Sequence, residues 1–423
     1  MFLLIYINDL PDNLESKPKV FADDTSLFSI VIDQQRSCEE LNRDLTRISE
    51  WARQWKMSFN PDPSKQAVEV YFTRKLLPAN APATSFNNTD ISVSDYQKHL
   101  GLTLDTKLSF DRHLEEKIQK ANKGIGLINR LRRHVPRNSL LTLYKSYIRP
   151  HLDYGDIIYD YPGNAAFIQK LESIQYNACL AITGCFRGTS REKLYSELGL
   201  ESLADRRFYR RILFFYKIVN GLTPSYLRNY LQETPSTLVN LRGRNAIYPL
   251  NIRTERFRNT FFPYCITQWN ILDSRIRDLP TVSSFKRAIL KFLRPKLSPV
   301  FGSQNNQGVV FLNRLRVRFS HLNEHKFGHG FLDTLDPFCR CRTNTIESTQ
   351  HFLLHCSIYS HSRQSLFDSL HTLDIVIFPL CPSKLCRLLL FGDENLSLII
   401  NRSILNLVIN FIHESSRFSG ALF

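Results

Sequence analysis

Two adjacent acids, Asp23 and Asp24, constrain this chain most, because strand-like apolar stretches lie directly on both sides of them. The first stretch begins at Lys19 and the second ends at Val31. This pattern is typical of a β-hairpin, so we expect one with both carboxylates at its tip. Adjacent carboxylates repel each other unless a cation neutralises them, and Mg²⁺ prefers such oxygen ligands. The competing interpretation is an ordinary loop whose acids face water.

A helix is expected after the hairpin, because Leu41, Leu45 and Ile48 recur at helical spacing. Ser37, followed three residues later by Glu40, predicts a capping box at its start. Short strand-like stretches then continue to about residue 106. We therefore predict an α+β fold, in which antiparallel hairpins and a helix form a small sheet domain before a mostly helical remainder.

The remainder opens with a basic helical segment between residues 106 and 150. It contains eleven lysines and arginines but only three acids, Asp111, Glu115 and Glu116. The cations are Lys107, Arg112, Lys117, Lys120, Lys123, Arg130, Arg132, Arg133, Arg137, Lys145 and Arg149. Such a segment suits sequence-independent contacts with nucleic-acid phosphates, although a solvated helix face is the alternative. The pairs Arg206-Arg207 and Arg210-Arg211 form a second basic stripe, one helical turn apart.

The overall charge indicates the class of partner, and the cysteines indicate the cellular compartment. The formal net charge is +16 and the isoelectric point is about 9.5, which favours a polyanionic partner such as nucleic acid. The nine cysteines form no regular disulfide framework, and the apolar opening lacks the basic start of a secretory signal. We expect an intracellular protein of the nucleus or cytoplasm, not secreted and without a membrane partner.

A cluster of cysteines and histidine near the C-terminus has the composition of a zinc site. Cys339, Cys341, His351 and Cys356 together offer three thiolates and one imidazole, the donor set of tetrahedral zinc. His355 is an alternative nitrogen ligand. The alternative for the cysteines is burial as small apolar residues. We interpret Cys381 and Cys386, farther along, as core residues.

Several motifs in order resemble reverse transcriptases of non-LTR retrotransposons, particularly the jockey-like group. The first is Tyr6 to Pro11, and the second is Phe21 to Thr25. Further matches are Trp51, Trp55, Asn60-Pro61, Lys65, His99-Leu100-Gly101 and the stretch from Tyr144 to Gly155. Each motif alone is weak, but the ordered set is specific and covers nearly the whole chain.

The resemblance implies a role for several of these positions. Asp23 matches the acid that binds both catalytic Mg²⁺ ions, and Asp24 matches its neighbour at the site. Lys65 resembles a lysine near the triphosphate. His99 and Gly101 belong to a hairpin thought to grip the primer. The basic segment, including Arg130, Arg132, Arg133, Lys145 and Arg149, would be the thumb, and a Cys-Cys-His-Cys cluster that contacts nucleic acid often ends such elements.

The resemblance divides the chain into three parts. Residues 1–106 match part of a polymerase palm, residues 107–300 a helical thumb, and residues 309–423 a helical unit with the Cys/His cluster. The implied partners are an RNA template and a DNA primer, and the sequence does not indicate an oligomeric state.

The matched palm lacks an upstream strand that carries a further metal-binding aspartate in this family. That strand, a glycine-rich segment and the fingers would precede Met1. We therefore expect the chain by itself not to polymerise DNA. The alternatives are a non-catalytic nucleic-acid-binding protein derived from a retroelement, and a decayed open reading frame.

Overall fold

The chain forms two compact units, Met1–Glu116 and Lys117–Phe423, in the computed structural model. The structure describes residues 7–22, 24–59, 67–73, 82–160, 165–231, 247–293, 306–341, 344–373, 375, 380–393 and 395–419. Strands occur in the first unit and helices dominate the second, so the predicted mixture of helix and small sheets is confirmed. The assignment of these regions as palm and thumb stays a prediction.

The first unit contains short strands around one long helix. Its described elements are β1 (Lys17–Phe21), β2 (Asp24–Phe28), α1 (Gln34–Gln54), β3 (Val68–Glu69), β4 (Ser85–Phe86), β5 (Thr89–Asp90), β6 (Ser92–Val93), β7 (Tyr96–His99) and β8 (Leu102–Asp105). Three antiparallel pairs, β1 with β2, β4 with β5 and β7 with β8, are the expected hairpins. The expectation of one small sheet is wrong for the described residues, because the strands form separate pairs and β3 pairs with β6 in parallel.

Helix α1 begins earlier than the sequence predicts. Its N-cap is Asp33, whose carboxylate accepts a hydrogen bond from the Arg36 backbone N–H at 2.9 Å. Ser37 lies inside the helix and is buried, so the predicted capping box at Ser37 is wrong. An aspartate is as good an N-cap as a serine, and the earlier start adds about one turn of helix.

A buried carboxylate on α1 anchors the segment that enters β1. Asp44 is fully buried and accepts hydrogen bonds from the backbone N–H groups of Glu15 at 2.9 Å and Ser16 at 2.7 Å. Burial alone would raise the pKa of this carboxyl, but the two backbone donors and Arg47 outweigh burial and lower it. The start of the hairpin is thereby fixed to the face of the long helix.

The described secondary structure of the second unit is helical apart from one β-bridge, between Phe338 and Ile346. Its helices are α2 (Asp111–Leu131, which begins in the first unit), α3 (Arg137–Leu143), α4 (Arg149–Asp153), α5 (Asp156–Tyr159), α6 (Ala165–Thr183), α7 (Arg191–Leu198), α8 (Leu203–Val219), α9 (Ser225–Arg228), α10 (Glu255–Arg258), α11 (Phe261–Ile271), α12 (Ser274–Arg277), α13 (Val282–Leu293), α14 (Asn306–Arg316), α15 (Asn323–Gly328), α16 (Ser360–His371), α17 (Pro382–Phe391) and α18 (Leu398–Glu414). Two π-helical turns, Tyr144–Ile148 and His351–His355, interrupt this series. None of the described helices combines the length and apolar character that a membrane crossing requires.

Two apolar cores are prominent among the described residues of the second unit. Trp269 of α11 is fully buried among aromatic rings of α8 and α13, where Tyr216 and Phe285 stack at 4.3 Å between centroids. The other core packs α14, α16, α17 and α18 around Phe352 and Phe411. The first core is rich in aromatic rings, each of which removes a large apolar area from water, whereas aliphatic side chains are the majority in the second.

A buried ion cluster joins three helices of the second unit. Glu197 of α7 accepts from Arg137 of α3 at 2.9 Å and from Arg316 of α14 at 2.8 Å. Arg137 also donates to the Asn313 side chain at 2.9 Å. Burial would raise the pKa of Glu197, but Arg316 and Arg137 outweigh it and lower the pKa. Helix α14 is therefore tied to helices that precede it by more than a hundred residues.

Replacing this carboxylate should destabilise the protein strongly. Glu197→Gln leaves two buried guanidinium groups without a counter-charge, so we expect the free energy of unfolding to fall by about 3 kcal/mol or more. Urea unfolding followed by circular dichroism measures the change. Glu192→Gln, an exposed position on the same helix, is the control and should change stability little. Equal stability of the two variants would contradict the role given to the cluster.

Candidate functional site

The β1–β2 hairpin carries the acid pair as the sequence predicts. Phe21 pairs with Asp24, so only residues 22 and 23 separate the paired strand ends. Ala22 has a φ of 53°, a left-handed conformation that favours glycine and stores strain in a residue with a side chain. Asp24 is exposed at the start of β2, while Asp23 lies outside the described residues. The described carboxylate at this turn is therefore open to a ligand.

The second predicted hairpin lies beside the first. Leu100 and Gly101 connect β7 to β8 with φ values of 47° and 79°, the two positive angles of a tight hairpin turn. His99 Nδ1 lies 3.4 Å from Ser26 Oγ, and the His99 ring meets Phe28 edge-on at 6.4 Å between centroids. Ser26 follows Asp24 by two residues, so the structure brings the His99 hairpin next to the acid-bearing strand.

Two further motif residues contact each other in the first unit. Trp51 of α1 donates its indole N–H to the Asp9 carboxylate at 3.1 Å. This contact holds the turn around Asp9 against the helix, which explains why an acid and a tryptophan far apart in sequence accompany the hairpin. Lys65, the candidate triphosphate contact, lies outside the described residues, as do Asn60 and Pro61.

The predicted Cys/His cluster comes together in space. The ligand atoms of Cys339, Cys341, His351 and Cys356 all lie within 4.8 Å of one another. The Sγ atoms of Cys339 and Cys356 are 3.6 Å apart, and Cys341 Sγ lies 3.4 Å from His351 Nε2. Tetrahedral zinc with bonds of about 2.3 Å to sulfur and about 2.0 Å to nitrogen separates its ligands by roughly 3.5–3.8 Å. The four side chains can therefore hold a metal ion, and His355 is not among them.

Local backbone structure explains how the four residues meet. A β-bridge between Phe338 and Ile346 folds the chain back, and the Cys339 N–H donates to the Thr345 carbonyl at 2.8 Å. The π-helical turn then places Cys356 beside His351, with its N–H bonded to the His351 carbonyl at 2.8 Å. An ordinary α-helix would have put residues four apart together. Nothing in the sequence of residues 351–355 predicts a π-helix, so this turn is visible only in the structure.

Burial and outer contacts suit the cluster to a cation. Burial raises the pKa of Cys339 to about 12, so the thiolate form needs a bound positive charge. Thr345 Oγ1 lies 3.4 Å from His351 Nδ1 and thus orients the ring with Nε2 towards Cys341. All nine cysteines are free thiols. Cys386 packs against the core as predicted, but Cys381 is exposed, so the prediction for Cys381 is wrong.

The end of α2 carries the basic residues that remain accessible. Arg130 and Arg133 are exposed and Arg132 is half-buried. Lys145 is half-buried in the first π-helical turn. Arg149 is mostly buried, and its Nε lies 3.9 Å from an oxygen of Asp153. Among the candidate contacts in this segment, Arg130 and Arg133 are therefore the most open to a polyanion.

The arginines of the second basic stripe form ion pairs within the second unit instead of a free basic surface. Arg206 meets Asp153 at 2.7 Å, and Arg210 meets Asp156 at 3.0 Å. The other two arginines, Arg207 and Arg211, are almost fully buried against Asp160. The three aspartates lie three and four residues apart, the same helical spacing as the arginines. That complementary spacing was the signal in the sequence that could have predicted the pairing.

Comparison with known proteins agrees with the resemblance. The chain is 26% identical over 210 residues to a probable RNA-directed DNA polymerase from transposon X-element of Drosophila melanogaster. The matched residues make up 48% of this chain and 22% of that protein. The chain is 25% identical over 239 residues to the RNA-directed DNA polymerase from mobile element jockey of the same fly, covering 55% and 24%. The chain is a relative of these retrotransposon polymerases. The resemblance to non-LTR reverse transcriptases is confirmed.

The similarity covers only a minor part of each relative. A probable RNA-directed DNA polymerase from transposon BS of Drosophila melanogaster is 26% identical to the chain over 196 residues. These residues make up 44% of this chain but only 20% of the relative. The matched region thus spans about a fifth to a quarter of the curated relatives. No family model matches the chain. No solved structure matches it either.

Proposed function

We propose that this chain is part of the RNA-directed DNA polymerase of a non-LTR retrotransposon, with an RNA template and a DNA primer as its partners. The observation that carries the proposal is the similarity to several such polymerases over about half of the chain. The contact between the acid-bearing hairpin and the His99 hairpin supports it, since the resemblance assigns both to the catalytic region. We place this activity inside the cell, in the nucleus or cytoplasm.

The proposed catalytic contribution is metal binding at the β1–β2 turn. Asp23 and Asp24 would hold Mg²⁺, which in phosphoryl transfer activates the attacking hydroxyl and stabilises the leaving oxygen. The exposed carboxylate of Asp24 is accessible for this role. His99 and Gly101 would position the primer end from the adjacent hairpin, and Lys65 would lie near the triphosphate. Because the matched region is a minor part of the relatives, we expect further ligands to come from outside this chain.

The proposed nucleic-acid contact outside the hairpins is the end of α2. Arg130 and Arg133 offer exposed guanidinium groups there, and Arg132 lies between them. Contacts of this kind are independent of sequence, as a polymerase that copies any template requires. Lys145 and Arg149 are less accessible and contribute less in this proposal.

A second function is favoured by a separate observation, the Cys/His cluster. We propose that it binds one Zn²⁺ that stabilises the C-terminal core, because its ligand atoms converge and Cys339 and Cys356 are buried. A zinc site and a basic segment in one chain also fit a non-catalytic nucleic-acid-binding protein derived from a retroelement. Activity assays on the acid pair separate that candidate from the polymerase.

The zinc proposal predicts one metal ion per chain. We expect Cys341→Ser to lose the ion, because three remaining ligands hold zinc less tightly and one coordination position opens. Elemental analysis of the purified protein measures the loss of the ion, and a thermal melt measures the loss of the stability that the ion provides. Cys381→Ser removes an exposed thiol outside the cluster and should keep the metal. Folded protein that contains no zinc would contradict the proposal.

Primer extension tests the catalytic proposal. With Mg²⁺ and an annealed RNA template and DNA primer, we expect this chain alone to add no more nucleotides than its Asp23→Ala variant, because a metal pair needs a further carboxylate ligand. A longer protein that includes the preceding coding sequence should extend the primer, and Asp23→Ala should abolish that extension. An inactive longer protein that still binds nucleic acid would favour the non-catalytic alternative.

Salt dependence tests the basic segment. Binding of a labelled RNA–DNA duplex should weaken steeply as salt rises, since phosphate contacts release counterions. We expect Arg130→Gln combined with Arg133→Gln to reduce the slope of log K against log salt by roughly 1 to 2. Lys286→Gln with Arg287→Gln, an exposed pair on α13, removes equal charge elsewhere and is the control. The same slope in both double variants would point to a merely solvated helix face.

A further inference from the structure

A group of exposed aromatic side chains lies on the helical stretch that starts in the first π-helical turn. Tyr147 is 50% exposed and Tyr154 is 49% exposed, whereas Tyr144 of the same stretch is fully buried. His151 lies between them, four residues after Tyr147, and its ring meets Tyr147 edge-on at 6.2 Å between centroids. We call Tyr147, His151 and Tyr154 the aromatic face. Tyr147 contacts His151, and Lys117 acts on both His151 and Tyr154, so the three rings lie near one another.

Two lysines of α2 border the aromatic face. Lys117 Nζ lies 5.3 Å from the centre of the Tyr154 ring, within the range of a cation–π contact. Lys117 and Lys120 are also the two charged groups that act on His151, and with burial they lower the pKa of its ring. Positive charge thus accumulates beside the exposed rings. We call Lys117 and Lys120 the lysine pair.

Helix α2 and the first π-helical turn approach each other unusually closely. A Cβ atom at Gly124 would lie 2.5 Å from Ile148 Cγ1 and 3.2 Å from Tyr147 Cδ1, so only glycine lets α2 approach this closely. Tyr147 itself belongs to the π-helical turn, a rare structure that recurs at functional sites. The buried side of the turn is fixed by Tyr144, whose hydroxyl donates to Gln175 at 2.6 Å. The rings are therefore held on a rigid support.

The opposite side of the same stretch has another task. Asp153 and Asp156 point to the arginines of α8, with which they form ion pairs. Asp153, the one acid of the Tyr144 to Gly155 motif, is thus engaged, whereas the rings of Tyr147 and Tyr154 are half-exposed. The ion pairs account for Asp153 but not for two half-exposed tyrosines beside two lysines.

We propose that the aromatic face stacks on the bases of a single-stranded nucleic acid while the lysine pair contacts its phosphates. Aromatic rings stack on unpaired bases of any sequence, and nearby cations follow the backbone. Bases inside a duplex already stack on each other and are closed to such rings. An apolar protein partner would match the tyrosines but not the positive charge of the lysine pair. The inference rests on the proposed nucleic-acid role of the chain and adds a preference for unpaired strands.

Binding of defined oligonucleotides tests this inference. The probes are labelled oligo(U) and oligo(dT) of about 12 nucleotides, a length typical of such sites, and a blunt RNA–DNA duplex of equal length. We expect Tyr147→Leu and Tyr154→Leu each to weaken binding of the single strands by about five- to tenfold, since stacking contributes at least that much per base. Duplex binding should change less than twofold, roughly the scatter of such additive effects.

Matched variants separate stacking from a structural role. Tyr147→Phe keeps the ring and should bind single strands as the unchanged protein does. Tyr226→Leu removes a tyrosine of similar exposure elsewhere in the second unit and should have no effect. Lys117→Gln with Lys120→Gln should weaken single-strand binding and flatten its salt dependence. Circular dichroism and thermal melts of every variant confirm that the fold is kept.

The outcomes distinguish this inference from the proposed function. If neither single strands nor duplex bind the unchanged protein, the nucleic-acid role itself fails. If both bind but Tyr147→Leu and Tyr154→Leu leave single-strand affinity unchanged, or reduce duplex affinity equally, the stacking inference alone is overturned. Self-association that the leucine variants abolish, without any loss of oligonucleotide binding, would identify the face as a protein contact and also overturn it.

Discussion

The buried carboxylate of Glu197 is the interaction on which the second unit depends. It forms ion pairs with both Arg137 and Arg316, which are almost fully buried and come from helices far apart in the sequence. Each of these charges alone would be costly in the apolar interior, so the three helices are stable only together. The same principle recurs at α8, where four arginines meet Asp153, Asp156, Asp160 and Glu201. Buried ion pairs, added to aromatic packing, thus determine how the helices meet.

Because of these ion pairs, the net positive charge of the chain overstates the positive charge on its surface. A net charge of +16 suggests a basic surface throughout, yet a substantial group of arginines is internal. The cations left on the surface of the basic segment, such as Lys120, Arg130 and Arg133, are fewer and more localised. A polyanion would therefore meet a limited region of α2 and the adjoining aromatic face, where the proposed contacts can be tested one residue at a time.

The two proposed metal sites differ in how they are built. At the acid-bearing hairpin, Asp24 is exposed on a short two-stranded sheet whose turn includes a left-handed alanine. At the Cys/His cluster, a β-bridge and a π-helical turn bring two halves of the ligand set together, and Glu347 nearby is paired with Arg417 at 2.7 Å. The first arrangement suits a site that substrates must reach, and the second suits a closed structural site.

The sequence by itself determined the features that are local and periodic. Apolar runs beside Asp24 predicted the hairpin, spacing predicted the long helices, and the order Cys339, Cys341, His351, Cys356 named the ligands that converge. Only the tertiary structure decided what each charged face meets, as at Arg206, and where a π-helical turn replaces an α-helical one. The reason is physical: helical periodicity shows which residues share a face, but burial and ion pairing depend on the partner element, which lies elsewhere in the chain.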